Sequence, residues 1–249
     1  MLLNLASRLT ADRCDTLPGR FAVVHHRLWR YDTNSTRETD VVRWYAADDS
    51  GAELARRSPN RQITQDWWRP GELRVRNLTN AYLTSEWLIT QAHMQGWGDG
   101  PAALVEGLAA LATWHNPGQR QRRLATRVLA DTSGLTAHPA VTDRAGRRGV
   151  GITAFTEQGH TRHLLILDSD TGQILAYEVS TLTATGWRAQ IYLLLLTRTH
   201  TPRRWWEPST ANNPAAPPRR YLHPRHSPVW LIHQDQPCLA SHTDDGARS

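Results

Sequence analysis

Residues 147–182 read RRGVGITAFTEQGHTRHLLILDSDTGQILAYEVSTL, and two reversals inside this stretch restrict it to three consecutive strands. Glu157-Gln158-Gly159 makes the first reversal, and Asp168-Ser169-Asp170-Thr171-Gly172 makes the second. Asp and Ser side chains bond the backbone of a tight turn, and Gly supplies a positive φ. Links this short cannot carry a parallel crossover, so neighbouring strands must be antiparallel. The stretch forms the centre of the fold and contains no catalytic motif.

The rest of the chain adds strands before it and a helix pair just ahead of it. Residues 2–13 place Leu2, Leu3, Leu5 and Leu9 on one side of a short helix. Pro18-Gly19 ends it. In residues 20–31, Phe21, Val23, Trp29 and Tyr31 share one parity, which suits a strand with one buried face. Residues 39–46 repeat that character. Asp48-Asp49-Ser50-Gly51 turns the chain into a shorter third strand that ends at Arg57. Residues 58–78 are Arg-rich and irregular, and residues 79–95 read as a helix. Pro101 opens the next helix, a position where its missing N–H costs nothing. Leu104, Leu108 and Leu111 recur there at helical spacing. Asn116-Pro117-Gly118 breaks the run. A second helix follows over residues 119–130, with Leu124 and Val128 inward and Arg120, Arg123 and Arg127 outward. Residues 187–197 make a final strand. Strands, a helix pair and strands again imply an α+β fold, with the helix hairpin packed on one face of an antiparallel sheet.

Composition bounds the rest. The chain has 249 residues and a net charge of +6, and all 29 of its basic residues are Arg. Acidic residues are interleaved with them, so the charge describes a basic solvated surface more readily than a phosphate-binding stripe. The longest apolar run, residues 191–196, is far short of the roughly 20 residues a membrane helix needs. Prolines crowd the sequence from residue 201 onward, and residues 201–249 read as a largely disordered tail. Within that tail Trp230-Leu231-Ile232 is a short apolar piece able to dock. Domain limits follow: a short N-terminal helix over 1–17, one α+β domain over 18–200, and the tail over 201–249. Cys14 and Cys238 lie near opposite ends, and two unpaired thiols is the simpler reading.

Residues that carry chemistry elsewhere have simpler explanations here. The glycines at 146, 149 and 151 follow a loop and enter a strand, unlike a dinucleotide-binding turn. His160 and His163 are three apart on a strand and point to opposite faces, which disfavours one shared metal. His223 and His226 lie in the tail. Asp168 and Asp170 serve the turn before they serve acid–base or cation chemistry. Trp67-Trp68 beside Arg69, and Trp205-Trp206 beside Arg203-Arg204, suit aromatic packing better than base stacking. An active site would require His25 or His26 to meet a carboxylate in one buried pocket. No cofactor and no metal are expected.

Residues 124–152 (LATRVLADTSGLTAHPAVTDRAGRRGVGI) and 163–182 (HLLILDSDTGQILAYEVSTL) resemble a poorly characterised actinobacterial family. Its members usually carry an N-terminal membrane anchor and a lipoprotein-carrier-like (LolA-like) domain. The pattern D-x-A-G-R-x-G-V-(G/A) falls on Asp143, Ala145, Gly146, Arg147, Gly149, Val150 and Gly151. A second pattern falls on Leu165, Leu167, Asp168, Thr171, Gly172, Ile174 and Leu175. The similarity spans residues 18–198 and is most specific over 124–180. It implies a curved antiparallel sheet with helices in its concave face, where carriers of this fold can hold an acyl chain. It carries over no catalytic residue. The anchor has no counterpart in this sequence, which places the protein in the cytoplasm as written, or in the cell envelope if translation starts upstream and includes an anchor.

The expected function is a non-enzymatic binding or protein-interaction domain. It would take an apolar ligand or a partner segment between sheet and helices. Leu165 and Leu167 on one strand, with Leu175, Tyr177 and Val179 on its neighbour, are the candidate lining residues. A sheet–helix interface filled by side chains would remove the ligand version and leave the interaction one. The alternative is a basic Arg/Trp nucleic-acid binder.

Overall fold

The computed structural model describes residues 1–11, 15, 19–75, 82–96 and 98–204. Both cysteines, Trp205-Trp206, His223, His226 and the tail beyond residue 204 lie outside the described residues. Nine strands form one open antiparallel sheet in the order β4-β3-β2-β1-β9-β8-β7-β6-β5. In chain order they are β1 (Phe21–Tyr31), β2 (Thr36–Ala46), β3 (Gly51–Arg57), β4 (Gln62–Trp68), β5 (Thr136–Thr142), β6 (Arg148–Thr156), β7 (Thr161–Asp168), β8 (Ile174–Thr183) and β9 (Gly186–Thr201). The helices are α1 (Leu2–Arg8), α2 (Glu72–Val75), α3 (Ser85–Gln95), α4 (Pro101–Ala112) and α5 (Gln119–Asp131). The fold is α+β, with a curved antiparallel sheet carrying the helices on one face.

Two runs of neighbouring hairpins, β1 to β4 and β5 to β9, meet where β1 pairs with β9. Local turns build each run. Asp168 Oδ1 accepts from the N–H of Asp170 and Thr171 and from the Thr171 hydroxyl, so it shapes the β7–β8 turn as its sequence position predicts. Asp143 does the same between β5 and β6, accepting from the N–H of Ala145 and Arg147 while its other oxygen holds the Arg147 guanidinium. Gly172 has φ +69, and a Cβ there would lie 2.6 Å from the Leu9 side chain.

β4 and β5 depart from the sequence reading, which left 58–78 irregular and 133–146 without a strand. Both are edge strands. Most side chains of β4 are exposed and polar, and β5 contains Pro139, so neither shows the apolar alternation that marks an interior strand. β1 departs in another way. It buries both faces at its start, since Phe21 and Val23 point one way and Val24 and His26 the other.

Helix α4 is buried nearly all round and packs against β6, β7 and β8. Its close helical neighbour is α3, which Thr84 caps by accepting from the Trp87 N–H. The two approach so tightly that a Cβ on Gly107 would fall 1.8 Å from the Ala92 carbonyl oxygen. Helix α5 packs on α1, whose Leu2, Leu5 and Ala6 are buried. Arg122 fixes this pair. It is 2% exposed, and it donates to both Asp15 carboxylate oxygens and to the carbonyls of Thr171, Pro117 and Thr10. A guanidinium suits this site because its planar fork meets several acceptors at once. Removing it strands a carboxylate and three carbonyls. Arg122→Ala is therefore expected to cost about 3 kcal/mol in urea unfolding, with faster amide exchange in α1. A loss below about 1 kcal/mol would contradict the clamp.

Candidate functional site

The five candidate residues separate by face. Leu165, Leu167 and Tyr177 join the core beneath the helices, and Val179 packs against it. Leu175 does not join them. β7 and β8 shift register between Ile166 and Leu167, which pair with Ala176 and Ile174, so Leu175 is the bulged residue. An extra residue in one strand reverses the alternation on either side. Leu175 therefore faces away from the helices, among Ile166, Ala176, Tyr192 and Leu194. Tyr177 places its hydroxyl 2.8 Å from His163 Nδ1, and burial pushes its phenol above the ordinary value. His163 is thus a core residue on the helix side, opposite in direction to Arg162.

The sheet and the helices pack closely where α4 meets β6, β7 and β8. The cavity there measures about 10 Å³, lined by Tyr82, Leu108, Leu129, Leu167, Ile174 and Arg198. That holds one water molecule at most. Burial pushes the Tyr82 phenol up to about 12. A larger space of about 560 Å³ is an open surface groove at the β1–β2 turn, near Tyr31, Asp32, Arg144 and Arg188.

The histidine pair at 25–26 splits across the sheet. His26 points to the helix side. Burial first, then the charges of Arg43, His25 and Arg198, hold it well below its usual range, so it is neutral at pH 7. Arg43 itself donates to Glu53 at 2.6 Å and to the Thr113 carbonyl at 2.8 Å, placing a cation at the C-terminal end of α4, with its guanidinium 3.7 Å from the centre of the Trp114 ring. His25 points to the outer face, where its Nε2 lies 2.6 Å from Asp40 Oδ1. The other Asp40 oxygen receives Arg56 at 3.1 Å and Arg27 at 3.4 Å. Burial alone would raise the Asp40 carboxyl. The hydrogen bond and charge of His25, with the charges of Arg27 and Arg56, outweigh it and lower the carboxyl below its ordinary value. So a histidine does meet a carboxylate. Both carboxylate oxygens are occupied, however, and neither of the two spaces described above reaches the pair. The cluster holds β1, β2 and β3 together. No group of three or more His, Cys, Asp or Glu is arranged to hold a metal among the described residues. No described helix is long and apolar enough to cross a membrane.

Arginine is drawn into ion pairs across the molecule: Arg37 with Asp32, Arg43 with Glu53, Arg147 with Asp143, Arg162 with Glu178. Nothing in this arrangement favours nucleic acid. What sequence reading missed is the open edge. β4 pairs only with β3 among the described residues, and it leaves Ile63 46% and Trp67 48% exposed. The opposite edge is closed by its own geometry. β5 carries Pro139, Ala140 at φ +59 and a register break between His138 and Val141.

No family model matches the chain, and no curated protein sequence matches it. Among solved structures, the chain is similar to the MucA/MucB complex of Pseudomonas aeruginosa, at 16% identity over 81% of this chain and 58% of that one, with a TM-score of 0.38. It is similar to MucB alone at 13% identity, covering 81% of this chain and 59% of that one, with a TM-score of 0.36. A putative outer membrane lipoprotein-sorting protein domain from Vibrio parahaemolyticus is 11% identical, over 79% of this chain and 90% of that one, with a TM-score of 0.25. The chain spans less than two thirds of the MucB chains it matches. Likeness of this order assigns no activity to it.

Two outcomes follow from the histidines and Asp40. His26 is uncharged in the folded chain but takes a proton below about pH 6.5 when unfolded. The unfolded state then binds more protons, so stability falls as pH drops below that value. Expected is a slope of up to about 1.4 kcal/mol per pH unit, which His26→Leu removes from unfolding curves taken at successive pH. Identical slopes in both proteins would refute this. Asp40 acts in the same direction over a lower window, because its lowered carboxyl contributes above about pH 4 and loses that contribution as pH falls through the folded value. Asp40→Asn should cost about 3 kcal/mol at pH 7, with a smaller difference from the parent at pH 3. A pH-independent difference would show that the charge is not responsible.

Proposed function

We propose that the chain is a non-enzymatic protein-interaction domain, with residues 18–200 as its folded body and the β4 edge as its contact surface. The observation that carries this reading is the filled interior. An apolar ligand needs a cavity of hundreds of cubic ångströms, and the cavity lined by Tyr82, Leu108 and Leu167 under the helices is about 10 Å³. Binding then falls to the surface. An exposed sheet edge recruits an extended segment through main-chain hydrogen bonds, with alternate side chains giving selectivity. β4 fits this role. It contains no proline, and Ile63, Gln65 and Trp67 alternate along one face of its seven residues. The family resemblance in residues 124–180 agrees with a binding role, although the matched Asp143, Arg147, Asp168 and Gly172 act here as turn and packing residues.

Two measurements test the reading. A fluorescent fatty acid titrated into the full chain should show no saturable binding, and stoichiometric binding would restore the ligand version. A photo-cross-linking residue at Gln65, in cells expressing the full chain, should give a discrete heavier adduct, while the same residue at His138 on the β5 edge gives none. Equal labelling at both sites, or none at Gln65, would defeat the edge assignment.

A further inference from the structure

We infer that the outer face of β1, β2 and β3 is the docking surface for the chain's own C-terminal segment, residues 205–249, beginning with Trp205-Trp206. Beside the His25–Asp40 cluster, this face is apolar and buried. Phe21, Val23, Val42, Trp44 and Leu54 form one cluster on it, each no more than 4% exposed. The helices that pack on the sheet meet its other face, with α4 on β6, β7 and β8 and Arg43 reaching α4 from β2. A single layer of strands leaves its outward side chains open to water, so burial of a Trp and a Phe there requires a covering layer.

The position of the chain's exit names the cover. The last residue of β9, Thr201, pairs with Phe21, the first residue of β1. Three residues later the Arg204 guanidinium lies 4.9 Å from the centre of the Phe21 ring, with Arg20 at 5.2 Å. Residue 205 therefore starts at the corner of the apolar cluster. β1 and β3 are two strand spacings apart, about 10 Å, and three extended residues span that distance at about 3.3 Å each. Val42 and Leu54 lie opposite His25, four residues along β1 from Phe21, so about five extended residues from position 205 span the cluster. Residues 229–232 (Val-Trp-Leu-Ile) supply a second apolar piece of the same segment. The other half of the outer face supplies part of its own cover. Arg144, from the β5–β6 turn, donates to Tyr31 and sits 3.9 Å from the centre of the Tyr192 ring, while Val141 packs on the cluster around Ile166 and Leu194. The half that lacks such a cover among the described residues is the half where the chain leaves.

This inference is independent of the β4 reading and is tested on the full chain. Thr199 pairs with Val23 on the outer side of the sheet. A photo-cross-linking residue placed there should attach to peptides from 205–249. Mixing heavy- and light-isotope chains separates the origins, and same-chain products are expected. Products between heavy and light chains would make a second copy the occupant, and the absence of any 205–249 product would overturn the inference. In parallel, Trp205→Ser with Trp206→Ser should accelerate amide exchange in β2 and β3 by about tenfold while leaving α4 and α5 unchanged. Unchanged exchange in β2 and β3 would overturn it independently of the cross-linking.

Discussion

Helix α4 has no polar face, and its enclosure is the condition on which the rest of the structure depends. A helix apolar on all sides is stable only when surrounded. Here β6, β7 and β8 close one side, and α3 closes another by contact at Gly107. The space on that face of the sheet is thereby occupied by the protein's own Leu104, Leu108 and Leu111. Arg43 and Arg122 then tie the enclosure to β2 and to the β7–β8 turn through directional bonds that apolar packing cannot provide.

A filled interior moves the question of function to the surface, and the two edges of the sheet differ there. Pro139 and the bulge beside it disfavour another strand on β5, whereas β4 carries no proline or register break among the described residues. Proteins that gain nothing from strand addition usually blunt both edges. The buried His25–Asp40 cluster belongs to this account as a fastening between strands. Its carboxylate is saturated by three partners.

Legibility in the sequence tracked the range of the interactions involved. The β6–β7–β8 hairpins were readable because Asp168, Gly159 and Gly172 encode their turns within five residues. The helices were readable from Pro101 and the leucine spacing. The edges were not, because β4 mixes polar and apolar residues on both faces and β5 contains proline, so neither shows a clean alternation. Leu175 was assigned to the wrong face because one bulge inverts parity and leaves no mark in composition. The pairing of His25 with Asp40 crosses a turn whose register no local signal sets. The Arg122 clamp joins groups more than a hundred residues apart, and nothing near Arg122 distinguishes it from its exposed neighbours Arg120 and Arg127.

The joint between β1 and β9 carries a consequence for how the molecule is made. Every other strand pair links consecutive strands, but this one closes a loop from residue 21 to residue 201. Closing so long a loop is entropically costly, and contacts distant in sequence slow folding. On a ribosome, the β1–β4 run emerges early and must wait, with its edge at β1 unmatched, until β9 has been synthesised. The first third of the protein is therefore the part most exposed to wrong pairing during synthesis.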